Sequence, residues 1–507
     1  MKKITCLLLM SLAANLAVAQ TKKINEVNTF VSKNSGVIYN KEKDVDGYYF
    51  FYEVDKLKKG DREFAIQILD NNLVEVAKKT YVNNKNTFLM KSSFNNQAMM
   101  FALANYKEKK INLLTFDKKA EQSASIDIPL ESKEIKWIEL MKASGDFNIL
   151  FPVNNKGFLF NKVADNKKIG YSLKYYPTDG GKSWEFNSPV DSQEILMINP
   201  IEVNESVVVA LEFSRSSAFS RKVTIKTLVI DANTGKLLFD REYSKDQKPR
   251  MISNAYINNN NAVVLLGEYF KEGDNIFDDQ SLGLFSEEIN LSGQTNKEVL
   301  VSWKDDVSKF YKPQNGDKEI GHIYFHSIVK TAAGDIYAIG EKYKKTASAS
   351  GIAMAVLSRG QSATTQLTIT DAVAFKFDSD FKLKDIKVFE KGKSRVPCLT
   401  DFGSPQLNAN ALKNQGAFDF VFTQIDKKND RFYSCFVDYE RLSGEKNKFA
   451  FKTIIYDEGA LSQDKIYLSN EDTDFRVLAG KVGYVALIEY NKKDKAINLH
   501  LEKLNIK

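Results

Sequence analysis

Histidine is scarce in this chain, three residues in 507, and two of the three fall close together. His322 and His326 lie in GHIYFHSIV, and paired imidazoles raise a metal site or a general base. On an extended strand they share a face, but four residues span about 13 Å, too far for one ion without ligands from elsewhere. Hydrogen-bonded histidines on the first strand of a sixth sheet, lining a central channel, are the expectation. His500 stands alone and supports no catalytic triad. Carboxylates gather in EGDNIFDDQ, where Asp274, Asp278 and Asp279 could offer oxygen ligands to Ca²⁺. Their spacing departs from an EF-hand loop, so a solvated turn is expected and no cofactor.

A long loop inside a compact repeat is a place to look for binding. The longest here runs from Thr346 to Asp371, rich in Ala, Ser, Thr and Gly, with an apolar centre from Ile352 to Leu357 followed by Arg359. Shorter extensions run from Arg215 to Arg221 and from Glu272 to Gln280. If the three occupy the same connection of successive repeats, they emerge on one face. Arg215, Asp274, Asp278, Asp279, Ile352, Leu357 and Arg359 are then the candidate binding residues.

The elements that would position these loops recur. Eight near-continuous apolar runs admit Glu, Gln or Asn only near their ends: Gly47 to Val54, Gln97 to Tyr106, Asp146 to Asn154, Glu205 to Phe213, Asn261 to Phe270, Gly334 to Tyr343, Ala417 to Asp426 and Val482 to Tyr490. Such runs mark strands covered on both faces. Most are followed by an alternating strand, an Asp or Asn turn and another strand, as in Arg62 to Val76, Thr227 to Phe239 and Ala372 to Phe389. A side-chain oxygen at the turn can accept bonds from backbone amides two residues on. A covered strand plus an amphipathic hairpin, repeated every 50 to 80 residues or so, predicts an all-β fold: one β-propeller over 20–507. Eight blades are expected, seven if one copy is an elaboration. The last repeat ends without a fourth strand, and Ile24 to Lys33 is expected to supply it and close the ring. Tandem β-domains, or a β-sandwich with helices, are the alternatives. No long segment shows sustained helical periodicity.

The run YYPTDGGKSWEF carries Asp179, Gly181, Ser183 and Trp184 in an order that resembles the Asp-box, or bacterial neuraminidase repeat, with Pro177 where Ser or Thr is usual. The resemblance covers a dozen residues of one blade. It implies a propeller, with this stretch turning between the third and fourth strands and Asp179, Gly181 and Trp184 as structural residues. DANTGKLLF, Asp231 to Phe239, resembles the turn of quinoprotein-type repeats. Asp-box propellers include sialidases, which need an arginine cluster, a Tyr–Glu pair and an acid/base Asp. The family's Arg-Ile-Pro motif is absent near the start, and Arg395-Val396-Pro397 lies downstream of the Asp-box, in the wrong order.

Lys2 and Lys3 precede an apolar run ending in Ala17-Val18-Ala19, the pattern of a secretory signal peptide over 1–19. No later run is apolar for the ~20 residues of a membrane span. The net charge is +7, with both signs interleaved, which gives little support to nucleic-acid binding. Cys398 is expected near the first strand of a blade and Cys435 on its third, beyond disulfide reach and so as free thiols. These features describe a periplasmic or secreted monomer without catalysis, binding protein, glycan or envelope material through its loops. The alternatives are a glycoside or other hydrolase using the central pocket, and a structural subunit of an envelope assembly. N-terminal sequencing of the exported chain is expected to read from Gln20; retention of Met1 on exported protein would contradict the signal peptide.

Overall fold

The computed structural model describes residues 20–144, 148–217, 223–243, 248–311, 320–351, 354, 363–398, 401, 404–413, 416–440, 448–468 and 474–504. The expected leader (1–19), Arg221, Ile352, Leu357 and Arg359 lie outside them. The chain forms eight antiparallel sheets, the blades of an eight-bladed β-propeller. Blade one spans 35–84, two 87–129, three 150–187, four 195–242, five 250–302, six 322–397, seven 420–467 and eight 474–503 with 20–24. The chain divides into two compact units, one holding blades one and eight and the other blades two to seven.

In the first unit, Gln20–Ile24 is the fourth strand of the last sheet, pairing from Gln20↔Leu501 to Ile24↔Ile497. A closing N-terminal strand was expected, but over Ile24 to Lys33. The strand shares only Ile24 with that range. The apolar residues of the expected segment are used otherwise: Val27 and Phe30 are buried, and Phe30 packs edge-on against Tyr490.

In the second unit the core is built between successive sheets. Val208 and Ala210 of blade four pack with Leu159 and Leu173 of blade three. The intervening Val207, Val209 and Leu211 pack with Leu265 and Phe285 of blade five. One strand thus buries both of its faces, which is why its sequence is continuously apolar. Six of the eight expected runs are second strands; Asp146 to Asn154 and Ala417 to Asp426 instead contain the first strands of blades three and seven. Cys435 correspondingly lies on a second strand, Arg431–Glu440, not a third. It and Cys398 are buried free thiols.

The outer hairpins follow the turn chemistry read from sequence. Asp70 Oδ1 accepts the backbone N–H groups of Asn72 and Val74, both at 2.8 Å. Asp117, Asn290 and Asp378 repeat the arrangement in blades two, five and six, and Asp231 of blade four accepts the N–H groups of Asn233 and Thr234. The stretch resembling an Asp-box lies between the third and fourth strands of blade three, Ile169–Pro177 and Trp184–Asn187. Its Asp179 accepts the Gly181 N–H at 3.0 Å.

Among the described residues the two longest helices depart from the all-strand expectation: α1, Ser132–Ser144, and α2, Pro405–Lys413. Both are short, and each is defined by its caps more than by an apolar stripe. Glu134 reaches back to the Glu131 N–H at 2.7 Å, half of a capping box. Ser404 Oγ accepts the Leu407 N–H at 3.1 Å, ahead of Pro405 at the first helical position.

Trp184 braces blade three against blade four. Its ring stacks on Tyr175 at 5.6 Å, and its Nε1–H donates to Ala232 O at 2.9 Å. Gly235 lies beneath it at φ +70°, where a Cβ would come within 2.5 Å of the indole. Gly235→Ala is therefore expected to cost about 2 kcal/mol through left-handed strain and the clash, and about half that when Trp184 is also Ala. Urea unfolding of both single variants and the double variant checks this; strictly additive costs would contradict the contact.

Candidate functional site

Within a blade the strands alternate in direction, so the connection from second to third strand leaves on the same face as that from the fourth strand to the next blade. In the second unit this face carries the extended connections of blades four, five and six, and also α1 and α2. The insertion of blade six is shorter than expected. Strands run on to Ala347 and resume at Thr365, leaving 348–364 between them.

At this face the walls of blades two to five, together with Tyr324 of blade six, enclose a cavity of about 460 Å³, and α1 and α2 contribute to its lining. Trp137, Ile149, Phe160, Met197, Ile198 and Phe213 give it an apolar surface. Its amides are mostly engaged. Asn148 donates to Asn199 Oδ1 at 2.7 Å, Asn161 to Ile198 O at 2.9 Å and Asn410 to Gln406 O at 3.0 Å. Phe277, from the acidic loop of blade five, also lines it, held where Ser404 N–H donates to Phe277 O at 2.7 Å.

The charged side chains of the described lining are Glu134, Lys162 and Lys413. Glu134 and Lys162 pair at 3.0 Å. Lys413 ends α2, where the helix dipole favours a cation. Its Nζ lies 5.0 Å from the Tyr324 ring centroid, and burial lowers its pKa.

Of the residues expected from sequence, the described ones, Arg215, Asp274, Asp278 and Asp279, are not among the cavity's lining. Arg215 closes the second strand of blade four and pairs in register with Ile195. Asp274 accepts Lys271 N–H at 3.1 Å, Asp279 accepts Asn275 N–H at 2.7 Å, and Asp278 accepts the Asn275 side-chain amide at 2.6 Å. These carboxylates shape their own turn. Among the described residues, no group of three or more His, Cys, Asp or Glu is placed to hold a metal ion.

His322 and His326 lie on the first strand of blade six, as expected, but neither lines the cavity. A β-bulge between Phe325 and Ser327 breaks the alternation at His326. His322 stacks with Tyr343, and His326 stacks flat on Phe420 at 4.8 Å. His326 Nε2 lies 2.9 Å from Glu341 Oε2, and Lys391 Nζ lies 3.0 Å from Glu341 Oε1. Lys391 also contacts Asp419. The backbone N–H groups of Asp419 and Phe420 donate to Glu341 at 3.3 and 3.0 Å. Burial works to raise the Glu341 pKa, but the charge of Lys391 and the His326 contact overcome it and hold it low. Burial instead prevails at Asp419, whose pKa is raised. This buried network joins blade six to blade seven.

Glu341 is one of a set. It is the sixth residue of IYAIGE, and Glu53, Glu212, Glu268 and Glu489 hold the same place in YYFFYE, VVVALE, VVLLGE and YVALIE. Glu53 meets Arg62 at 2.6 Å, Glu212 accepts from Tyr171 Oη at 2.5 Å, and Glu489 lies 3.8 Å from His500. Glu268 differs. One of its oxygens and the whole side-chain amide of Gln406 are buried without a hydrogen-bond partner. Burial raises the Glu268 pKa to about 7, opposed by Ser281. The cavity and this recurrent acid were missed in the sequence. The signal for the acid was present, as the Glu that ends the apolar runs.

The architecture places the chain among eight-bladed β-propellers. More narrowly, it belongs to a family of unknown function, DUF6770, whose model matches residues 1–505. No curated protein matches it. Among solved structures it is similar to the WD40 domain of SCAP from fission yeast at 7% identity, covering 95% of this chain and 98% of that one, with a TM-score of 0.36. Apo prolyl oligopeptidase B from Galerina marginata shares 10% identity over 91% of this chain and 56% of that one, at 0.39. Porphyromonas gingivalis dipeptidyl peptidase 4 shares 9% over 90% and 57%, at 0.41. The chain spans little more than half the length of these two peptidases, and none of the likenesses carries an argument about chemistry.

The raised pKa of Glu268 has a definite sign. Between about pH 4.5 and 7 the folded chain keeps a proton that the unfolded chain releases, so this residue's contribution to stability is lost as pH rises through 7. Glu268→Gln is expected to stabilise the protein by about 2 kcal/mol at pH 8 and to change it little at pH 4. Denaturant midpoints at the two pH values check this; an equal effect at both would contradict it.

Proposed function

We propose that this chain is an exported, non-catalytic binding protein that receives a small ligand in the cavity at its loop-bearing face. The single observation that carries the reading is the 460 Å³ apolar cavity itself. It falls within the size range of small-molecule sites, roughly 300 to 1,000 Å³, and has the expected mix of apolar wall and few polar groups. The extended connections expected to bind a partner leave on the same face, so the reading keeps that face and moves the contact inward. A protein or glycan partner would instead engage the loops themselves. A glycoside hydrolase would need a pair of free carboxyl groups in the wall; the described lining holds one carboxylate, Glu134, committed to Lys162 and to its own helix. The motif around Asp179 then serves the scaffold, and the leader directs the chain out of the cytoplasm.

The neutral fluorophore N-phenyl-1-naphthylamine offers a direct test. It is expected to bind saturably at one site per chain, and Met197→Trp, which fills the cavity, to weaken it at least tenfold or so without unfolding the protein. Saturable binding unaffected by Met197→Trp would place the site elsewhere, and no saturable binding would remove the reading.

A further inference from the structure

The charge of the cavity wall is unbalanced, and the imbalance specifies a ligand. One carboxylate and two ammonium groups belong to the described lining. Glu134 and Lys162 neutralise each other at 3.0 Å, and the second Glu134 oxygen accepts the Glu131 N–H. That leaves Lys413. Among the described residues no carboxylate lies within ion-pair distance of it. The nearby buried acids are already committed: Glu341 to His326 and Lys391, and Asp419 to Lys391 and Ser394. Glu268 lines a separate void of about 30 Å³, whose wall shares Tyr324 and Asn410 with the large cavity. The Lys413 ammonium lies over the Tyr324 ring, on the last residue of α2, where both the ring face and the helix dipole favour a cation. A lysine stem readily covers apolar surface while its head seeks a polar partner; here Lys413 and Tyr324 both line an apolar cavity.

We propose that the cavity takes a small amphipathic acid, a hydrocarbon or aromatic body with one anionic head. The head would meet Lys413 beside Tyr324, and the body would lie against Trp137, Ile149, Ile198 and Phe213. An anion there gains a charge-assisted bond in a low-dielectric setting, while the apolar wall offers little to a sugar or a peptide backbone. Burial already disfavours the bare ammonium, as its lowered pKa records, so a bound anion would relieve a cost present in the empty site.

The inference rests on the cavity reading above, and the test separates the two. Decanoate and decanol, equal in chain length, are used to displace N-phenyl-1-naphthylamine from the wild-type mature chain at neutral pH. Decanoate is expected to compete at least tenfold more strongly, although decanol is the more apolar molecule. Lys413→Met should remove that preference while still binding the fluorophore, and Lys413→Arg should largely keep it. Equal potency of acid and alcohol on the wild type, or a preference that survives in a folded Lys413→Met variant, would overturn the anionic head and leave the cavity reading standing. Failure of the wild type to bind the fluorophore or either competitor would remove both. Should Lys413→Met not fold, the wild-type comparison alone decides.

Discussion

A carboxylate buried where the second strand of a blade ends has to find a donor, because an ionised acid cannot be left alone away from water. Five blades place a glutamate there, buried at Glu53, Glu268 and Glu341 and half-buried at Glu212 and Glu489, and its partners include those that tie one element to the next. Glu212 is held by Tyr171 of the preceding blade, and Glu341 by the opening backbone of the following one. Apolar packing between sheets is permissive about register, since Val, Ile and Leu interdigitate in many ways. A buried acid is not permissive. Shifting a strand by one residue would strand the charge among valines and phenylalanines. The recurrent glutamate thus supplies the specificity that a continuous apolar run lacks, and Glu268, with its poorer partners, shows what the arrangement costs.

The second constraint is topological. Strand alternation sends two kinds of connection to one face, and in blades two to seven that face has accumulated three long connections and the two longest helices of the described residues. The cavity is a consequence. Where α1 and α2 lie over the ends of blades, side chains meet across a gap too wide to fill, and the lining stays apolar because its amides bond within the wall. Lys413 is there because α2 ends there.

How much of this was legible follows from which signals are local. The repeat, its eight copies and the turns at Asp70, Asp231 and Asp378 depend on residues adjacent in sequence, and these were readable. The identity of two runs was not, because first strands that bury both faces, such as Leu150–Val153, look like second strands. The helices were missed because caps at Glu131, Glu134 and Ser404 set them, without a wide apolar stripe to give a period. The histidines misled in another way: spacing placed them on one face, but a single bulge at His326 turned one toward Phe420 and Glu341. The cavity could not have been read, since its wall is assembled from residues hundreds of positions apart and its defining charge is visible only as a lysine that no carboxylate among the described residues meets.

The last sheet draws its fourth strand from residues 20–24, which pair with residues 497–501. That sheet cannot be completed until nearly the whole chain has been made, however early the other blades assemble. Contacts of such sequence separation form late and slowly. In a chain expected to cross a membrane before it folds, the arrangement acts as a delay. Residues 20–24 emerge with their pairing partner still unmade, and the outer edge of the final strand stays open until they return to it.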